Sequence, residues 1–269
     1  MSVLLPVRKV EKPWGVDALP APFTAPDAQR IGEIWFEPPA ELPDLLVKYI
    51  FTSEKLSVQV HPSDAQTLAM NIGRQGKEEC WLILDALPGA TLGIGFDSAI
   101  NEEAMRSAAL DGSIEQRMTW HPVKAGDFFY IPANTVHAIG AGICLIEVQQ
   151  NSDITYRLFD YGRPRELHLE QGMAVAQGQP YDLAKWHRTV SPRGNQILVD
   201  GPLFMLDQVE GQPGEAVAAR YPGALLVIPR AGMVRVRGEE LPAGGCAVVA
   251  SLDEVELDGQ ASCLFARAC

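Results

Sequence analysis

A succession of short apolar or alternating runs, each closed by turn residues, is what most restricts the folds open to this chain. "LLVKYIF" (45–51), "KLSVQV" (55–60), "ECWLILDA" (79–86), "GDFFYIP" (126–132) and "ICLIEVQQ" (143–150) read as strands, the first two as neighbours. The pattern resumes near the end of the chain in "QILVD", "LFMLDQVE", "GALLVIP", "MVRVRGEEL", "CAVVAS" and "CLFARAC". Twenty prolines and 24 glycines are scattered between these runs rather than clustered. Many short strands with regular Gly and Pro punctuation predict a mainly β fold, a sandwich or a barrel.

Helices are fewer. Ser63 is placed to cap a helix through "SDAQTLAMNIG", with Gln66 three residues on and Gly73 as a stop. A second helix is expected from Ser98 to a stop near Gly112, and a third over 164–178. The second lies between strand regions, so residues 97–118 read as a helical insertion in a β fold. The division expected is a catalytic domain over 1–178, then a connector and a smaller, barrel-like carboxy-terminal β region over 179–269. No internal repeat is visible in the sequence.

At 269 residues and 47% apolar content the chain can bury a substantial core. The formal net charge of −12 argues against nucleic acid as a partner, because phosphate binding needs surplus Lys and Arg. An anionic substrate would have to meet a local basic cluster. The start, "MSVLLPVRKVEKPWG", has too short an apolar run for a signal peptide, and no later run is long enough to span a bilayer. Five cysteines without a CxxC pair read as reduced thiols, which fits a cytoplasmic location.

Within "LSVQVHPSD", Ser57, Gln59 and His61 are two apart and so share a strand face. Alone, that is an ordinary solvated face. Three other segments change its weight: "GKEECW", in which Glu79 opens a strand; "GDFFYIPANTVH", which delivers His137 after a strand and a turn; and "EVQQNSDITYRLFDYGR", dense in charge beside apolar residues. Gln59, His61, Glu79 and His137 together offer two imidazoles, a carboxylate and an amide oxygen. That set suits zinc or a similar divalent ion with a position left open for substrate. His121, His168 and His187 lack such company and read as structural or surface residues.

"GDFFYIPANTVH" fits the second cupin motif, with Asn134 where many cupins have glycine. "LVKYIFTSEKLSVQVHPSD", "GKEECW", "VKAGDFFYIPANTVHAIGAG" and "EVQQNSDITYRLFDYGR", in that order, resemble the type I mannose-6-phosphate isomerases of bacteria. "KPWG" (12–15) and "IGEIWFE" (31–37) are similar to that family's amino-terminal segments. The resemblance covers roughly residues 10–175 and implies a cupin-type (jelly-roll) barrel. It places zinc on Gln59, His61, Glu79 and His137, the quartet already singled out. It also implies a catalytic Arg157, and Lys77 near the substrate.

The activity implied is interconversion of mannose 6-phosphate and fructose 6-phosphate, which moves a proton between C1 and C2 through an enediol. A permanently cationic Arg157 would stabilise an anion or position phosphate. Glu147 is a candidate base if shielding raises its pKa; the competing reading is a salt bridge that holds Arg157. Lys77 could serve as the base instead if burial lowers its pKa. Lys55, Ser57 and Arg157 are phosphate candidates by position only. An iron-dependent cupin oxygenase and a non-catalytic sugar-binding cupin are the alternatives, and the oligomeric state is left open.

Overall fold

The computed structural model describes residues 4–26 and 28–269. The first half of the fold comprises β1 (Val7–Val16), β2 (Ile31–Phe36), β3 (Leu45–Phe51), β4 (Val58–Val60), α1 (Asp64–Ala69), β5 (Glu79–Ala86) and β6 (Thr91–Phe96). Next come α2 (Glu102–Asp111), α3 (Ile114–Arg117), β7 (Met118–Pro122), β8 (Asp127–Ile131), β9 (His137–Ile139), β10 (Ile143–Gln150) and β11 (Tyr156–Phe159). Then follow α4 (Leu169–Val175), α5 (Leu183–Trp186), β12 (His187–Thr189), β13 (Gln196–Asp200), β14 (Phe204–Glu210), α6 (Glu215–Arg220) and β15 (Leu225–Ala231). The last strands are β16 (Val234–Val236), β17 (Glu239–Glu240), β18 (Ala247–Val249), β19 (Val255–Leu257) and β20 (Ser262–Ala268).

Four antiparallel sheets result, in the orders β1-β2-β3-β10-β5-β8-β12, β11-β4-β9-β6-β7, β13-β14-β20-β15-β18 and β17-β16-β19. Strand alternation stacks them. On the seven-stranded sheet Ile50, Trp81, Ile83, Phe129 and Leu145 face the five-stranded sheet that holds β4 and β9, where they meet Leu92, Ile94 and Ile139. The residues between them, among them Val47, Tyr49, Leu82, Phe128 and Ile146, face the carboxy-terminal region and pack on Phe204, Leu206, Leu226 and Leu264. A sheet covered on both faces needs apolar side chains at nearly every position, which is why β3 is buried throughout. The same alternation puts Val58, Ala138 and Leu158 against Met105 of α2 and Met173 of α4. In the carboxy-terminal region it puts Val227 and Phe265 against Val234 and Val255.

The mainly β prediction and the insertion between strands hold, with α2 and α3 lying between β6 and β7. Other expectations are corrected. The segments 45–51 and 55–60 are not neighbours: β3 pairs with β2 and β10, whereas β4 pairs with β11 and β9 in the facing sheet. The link crosses between the layers, with Leu56 N donating to Ile139 O at 2.8 Å, so only Val58–Val60 is a strand. The second helix starts after Asn101, whose side chain accepts from Ala104 N at 2.8 Å, rather than at Ser98. The third shrinks to Leu169–Val175, because Arg165 and Asp160 hold the preceding residues in an ion-paired loop. Within the expected connector, β12 pairs with β8 of the first sheet. Leu4 also bridges to Ala247 of β18, so the amino-terminal segment reaches the carboxy-terminal region.

Candidate metal centre

His61 follows β4 and His137 opens β9. Each ring is turned by a backbone carbonyl: His61 Nδ1 lies 2.9 Å from Ile154 O, and His137 Nδ1 lies 2.9 Å from Thr135 O. A carbonyl only accepts, so both Nδ1 atoms carry the hydrogen and both Nε2 lone pairs face inward. Between them stands Glu79, the first residue of β5, with Oε2 at 3.7 Å from His61 Nε2 and Oε1 at 3.4 Å from His137 Nε2. One ligand atom from each of the three residues lies within 4.8 Å of the others, and none of the three residues is more than 1% exposed. Gln59 is the cross-strand partner of His137, and its Nε2 lies 3.2 Å from His137 Nε2. Its Oε1 accepts from Ser57 Oγ at 3.3 Å.

Burial governs the protonation of this cluster. It holds His61 well below the usual histidine value and His137 down to about 4, with Lys77 adding to both shifts. Both imidazoles are therefore neutral near pH 7, the form that ligates metals. Burial, helped by the charge of Glu147 and opposed by Lys77, pushes Glu79 up to about 7. Lys77 Nζ lies 3.1 Å from His61 Nε2 and donates to Glu79 Oε2. Glu79 Oε1, by contrast, is buried with no hydrogen-bond partner. A buried carboxylate oxygen without a partner is costly, and a divalent cation between two imidazole lone pairs would satisfy it. The donor set therefore fits such an ion. Gln59, as a ligand, would offer the amide end now bonded by Ser57.

The centre adjoins a cavity of about 320 Å³ lined by Ser57, Gln59, Lys77, Glu147, Arg157 and Lys48, among others. Five cationic side chains line it against three carboxylates, a local excess of positive charge in an acidic chain. Lys48 is 6% exposed and donates to Glu147 Oε1 at 2.9 Å and Gln149 Oε1 at 2.5 Å. Trp81 Nε1 donates to the other Glu147 oxygen at 3.0 Å. Burial works against ionisation of Glu147, but Lys48 and Lys77 prevail and bring it down to about 2. Both sequence readings of Glu147 are thereby corrected. Its pKa is depressed instead of raised, and its partner is Lys48 instead of Arg157.

Arg157 lies on β11 opposite Gln59, with Nη1 donating to Glu166 O at 2.7 Å and Nε buried without a partner. Burial and the neighbouring Arg165 lower its pKa. Lys55 is not brought to the cavity: it pairs with Glu115 and lies 4.8 Å from the Trp120 ring centroid, beside Tyr161 and Arg163. It faces the helical insertion, while Leu56 and Ser57 line the cavity. The other histidines stay outside: His168 Nδ1 accepts from Arg157 N at 3.2 Å, His187 lies 3.5 Å from Asp127, and His121 packs near Phe129 and Tyr181. Sequence reasoning missed Lys48, Glu33, Trp35 and Arg165 in the lining. The signal for Lys48 was present, a lone charge in the middle of "LLVKYIF".

No protein-family model matches the chain. A mannose-6-phosphate isomerase of Streptococcus mutans is 38% identical over 201 residues, which cover 71% of this chain and 62% of that protein. The aligned part thus spans about three fifths of the relative's length. The crystal structure of the mannose 6-phosphate isomerase from Bacillus subtilis superposes with a TM-score of 0.81 at 24% identity, covering 98% of both chains. A zinc-bound mannose 6-phosphate isomerase superposes with a TM-score of 0.72 at 14% identity, again over 98% of both chains.

Proposed function

The chain is a homologue of proteins named mannose-6-phosphate isomerase and shares their cupin fold, and on that premise we propose that it interconverts mannose 6-phosphate and fructose 6-phosphate. One zinc ion per chain would be held by Gln59, His61, Glu79 and His137. The observation that carries the reading is the unpartnered Glu79 Oε1, set between two inward-facing imidazole lone pairs beside a cationic cavity. Bound there, the ion would supply Lewis-acid stabilisation of negative charge on the sugar's oxygens.

The remaining work falls to side chains around the cavity. Arg157 keeps its charge at any working pH and has a donor to spare, so it meets the phosphate or the anionic oxygen. Ser57 offers a hydroxyl at the same wall. Lys77 lines the cavity and is the group placed to take or return a proton between C1 and C2. Lys48 and Trp81 hold the ionised Glu147 carboxylate in one orientation, so it stands beside Lys77 as a fixed negative charge. The partner is a small sugar phosphate. Among the described residues no helix is long and apolar enough to cross a membrane.

The test is a coupled assay for fructose 6-phosphate formation on the purified chain, before and after chelation. Turnover that disappears with the metal and returns with added zinc is the expected result. Binding of mannose 6-phosphate without conversion, or oxygen-dependent turnover with iron, would replace this reading.

A further inference from the structure

A second cavity, of about 420 Å³, lies at the seam between the two β regions. One wall is the loop Pro20–Phe23 with Tyr49 of β3 and Ile146 of β10; the other carries Pro229 and Arg230 of β15 and Gly244. The walls meet closely, since Gly244 has φ +79° and a Cβ on it would lie 2.7 Å from Pro22 Cγ. Phe23 packs on Tyr49 with ring centroids 4.6 Å apart. Four residues break this apolar surround: Arg230, Tyr49, Cys144 and the exposed Asp85. Arg230 is part-buried, donates Nη1 to Gln208 Oε1, and has no carboxylate partner among the described residues. Tyr49 is 2% exposed, and its hydroxyl makes no hydrogen bond among the described residues. Burial lowers the pKa of Arg230 and raises that of Tyr49, and each feels the charge of the other.

A guanidinium without a carboxylate partner and a tyrosine hydroxyl without an acceptor line the same cavity, and one anion can take a hydrogen bond from each. With Nη1 engaged, Arg230 has its Nε and Nη2 edge free, a fork that matches a planar carboxylate. Apart from Asp85 and Cys144 the rest of the lining is Pro, Ala, Gly, Phe, Leu and Ile, which favours an aromatic or aliphatic body. We propose that this seam cavity is a second ligand site for an aromatic carboxylate, its anionic head on Arg230 and Tyr49 and its ring against Pro22, Phe23 and Ile146. The site is independent of the isomerase reading, because none of its residues lines the first cavity. It grips both β regions, so its ligand stabilises the whole chain.

Phenylacetate is the probe, titrated by calorimetry into the full chain and followed by thermal unfolding. Phenylacetamide is its neutral isostere. One phenylacetate bound per chain with a raised unfolding midpoint is expected, and phenylacetamide should bind about tenfold more weakly or worse. Arg230→Gln should weaken phenylacetate about tenfold, and Tyr49→Phe, which keeps the ring packing, about threefold. Absence of binding at millimolar phenylacetate overturns the proposal. So does equal binding of the amide, unchanged affinity in Tyr49→Phe, or displacement of phenylacetate by mannose 6-phosphate.

Discussion

Lys48 sits in the middle of an apolar strand and yet determines the charge of the cavity floor. Its ammonium is what keeps Glu147 ionised against burial. Lys48→Met should therefore raise the Glu147 pKa and cost about 3 kcal/mol, because a buried carboxylate loses its cation; urea unfolding at pH 7 reads the loss. An unchanged midpoint would mean that Lys77 and Trp81 suffice. Two further substitutions separate ligand from substrate contacts. His137→Ala should lose metal and turnover together, since it removes one of the two imidazoles facing Glu79. Arg157→Ala should keep full metal content while turnover falls about a hundredfold, as expected for a lost anion contact. Metal analysis beside the coupled assay distinguishes them, and near-normal turnover in Arg157→Ala would remove its assigned role.

Short elements hold the metal residues by their ends. Helix α1 begins with a capping box in which Ser63 N donates to Gln66 Oε1 at 2.9 Å and Ser63 Oγ accepts from Gln66 N at 3.4 Å. The Gln66 amide oxygen also accepts from Asn134 Nδ2 at 2.6 Å, and Asn134 N donates to His61 O at 2.8 Å. The cap therefore ties the His61 loop to the turn before His137. Asn134 itself has φ +71°, the left-handed conformation that glycine adopts freely, which explains its place in the motif. Ser63→Ala should lower the stability by about 1 kcal/mol without loss of metal stoichiometry. A denaturation midpoint equal to that of the parent chain would mean that Asn134 alone holds Gln66.

The two β regions share one apolar core, so the molecule should unfold as a unit. Phe204 of β14 is fully buried, and its ring centroid lies 6.0 Å from that of Tyr130 on β8. Phe204→Ala should cost about 3–5 kcal/mol and shift a single transition seen equally by tryptophan fluorescence and by metal release. Two separate transitions, with the metal half unmoved, would instead make the carboxy-terminal region an independent accessory.

The sequence by itself determined the strand segments, the glycine and proline punctuation, the insertion after β6 and the four candidate ligands. Each is encoded over a few residues: alternation sets which side chains share a face, and a Q-x-H pair on one strand stays a pair wherever that strand goes. Only the tertiary structure decided that β4 joins the sheet facing β3, that β12 extends the first sheet, and that Lys48 rather than Arg157 holds Glu147. It also turned Lys55 away from the cavity and created the seam around Arg230. These outcomes depend on which sheets pack together. Lys48 and Glu147 are 99 residues apart in the chain, and nothing local to either segment records the register that brings them to 2.9 Å.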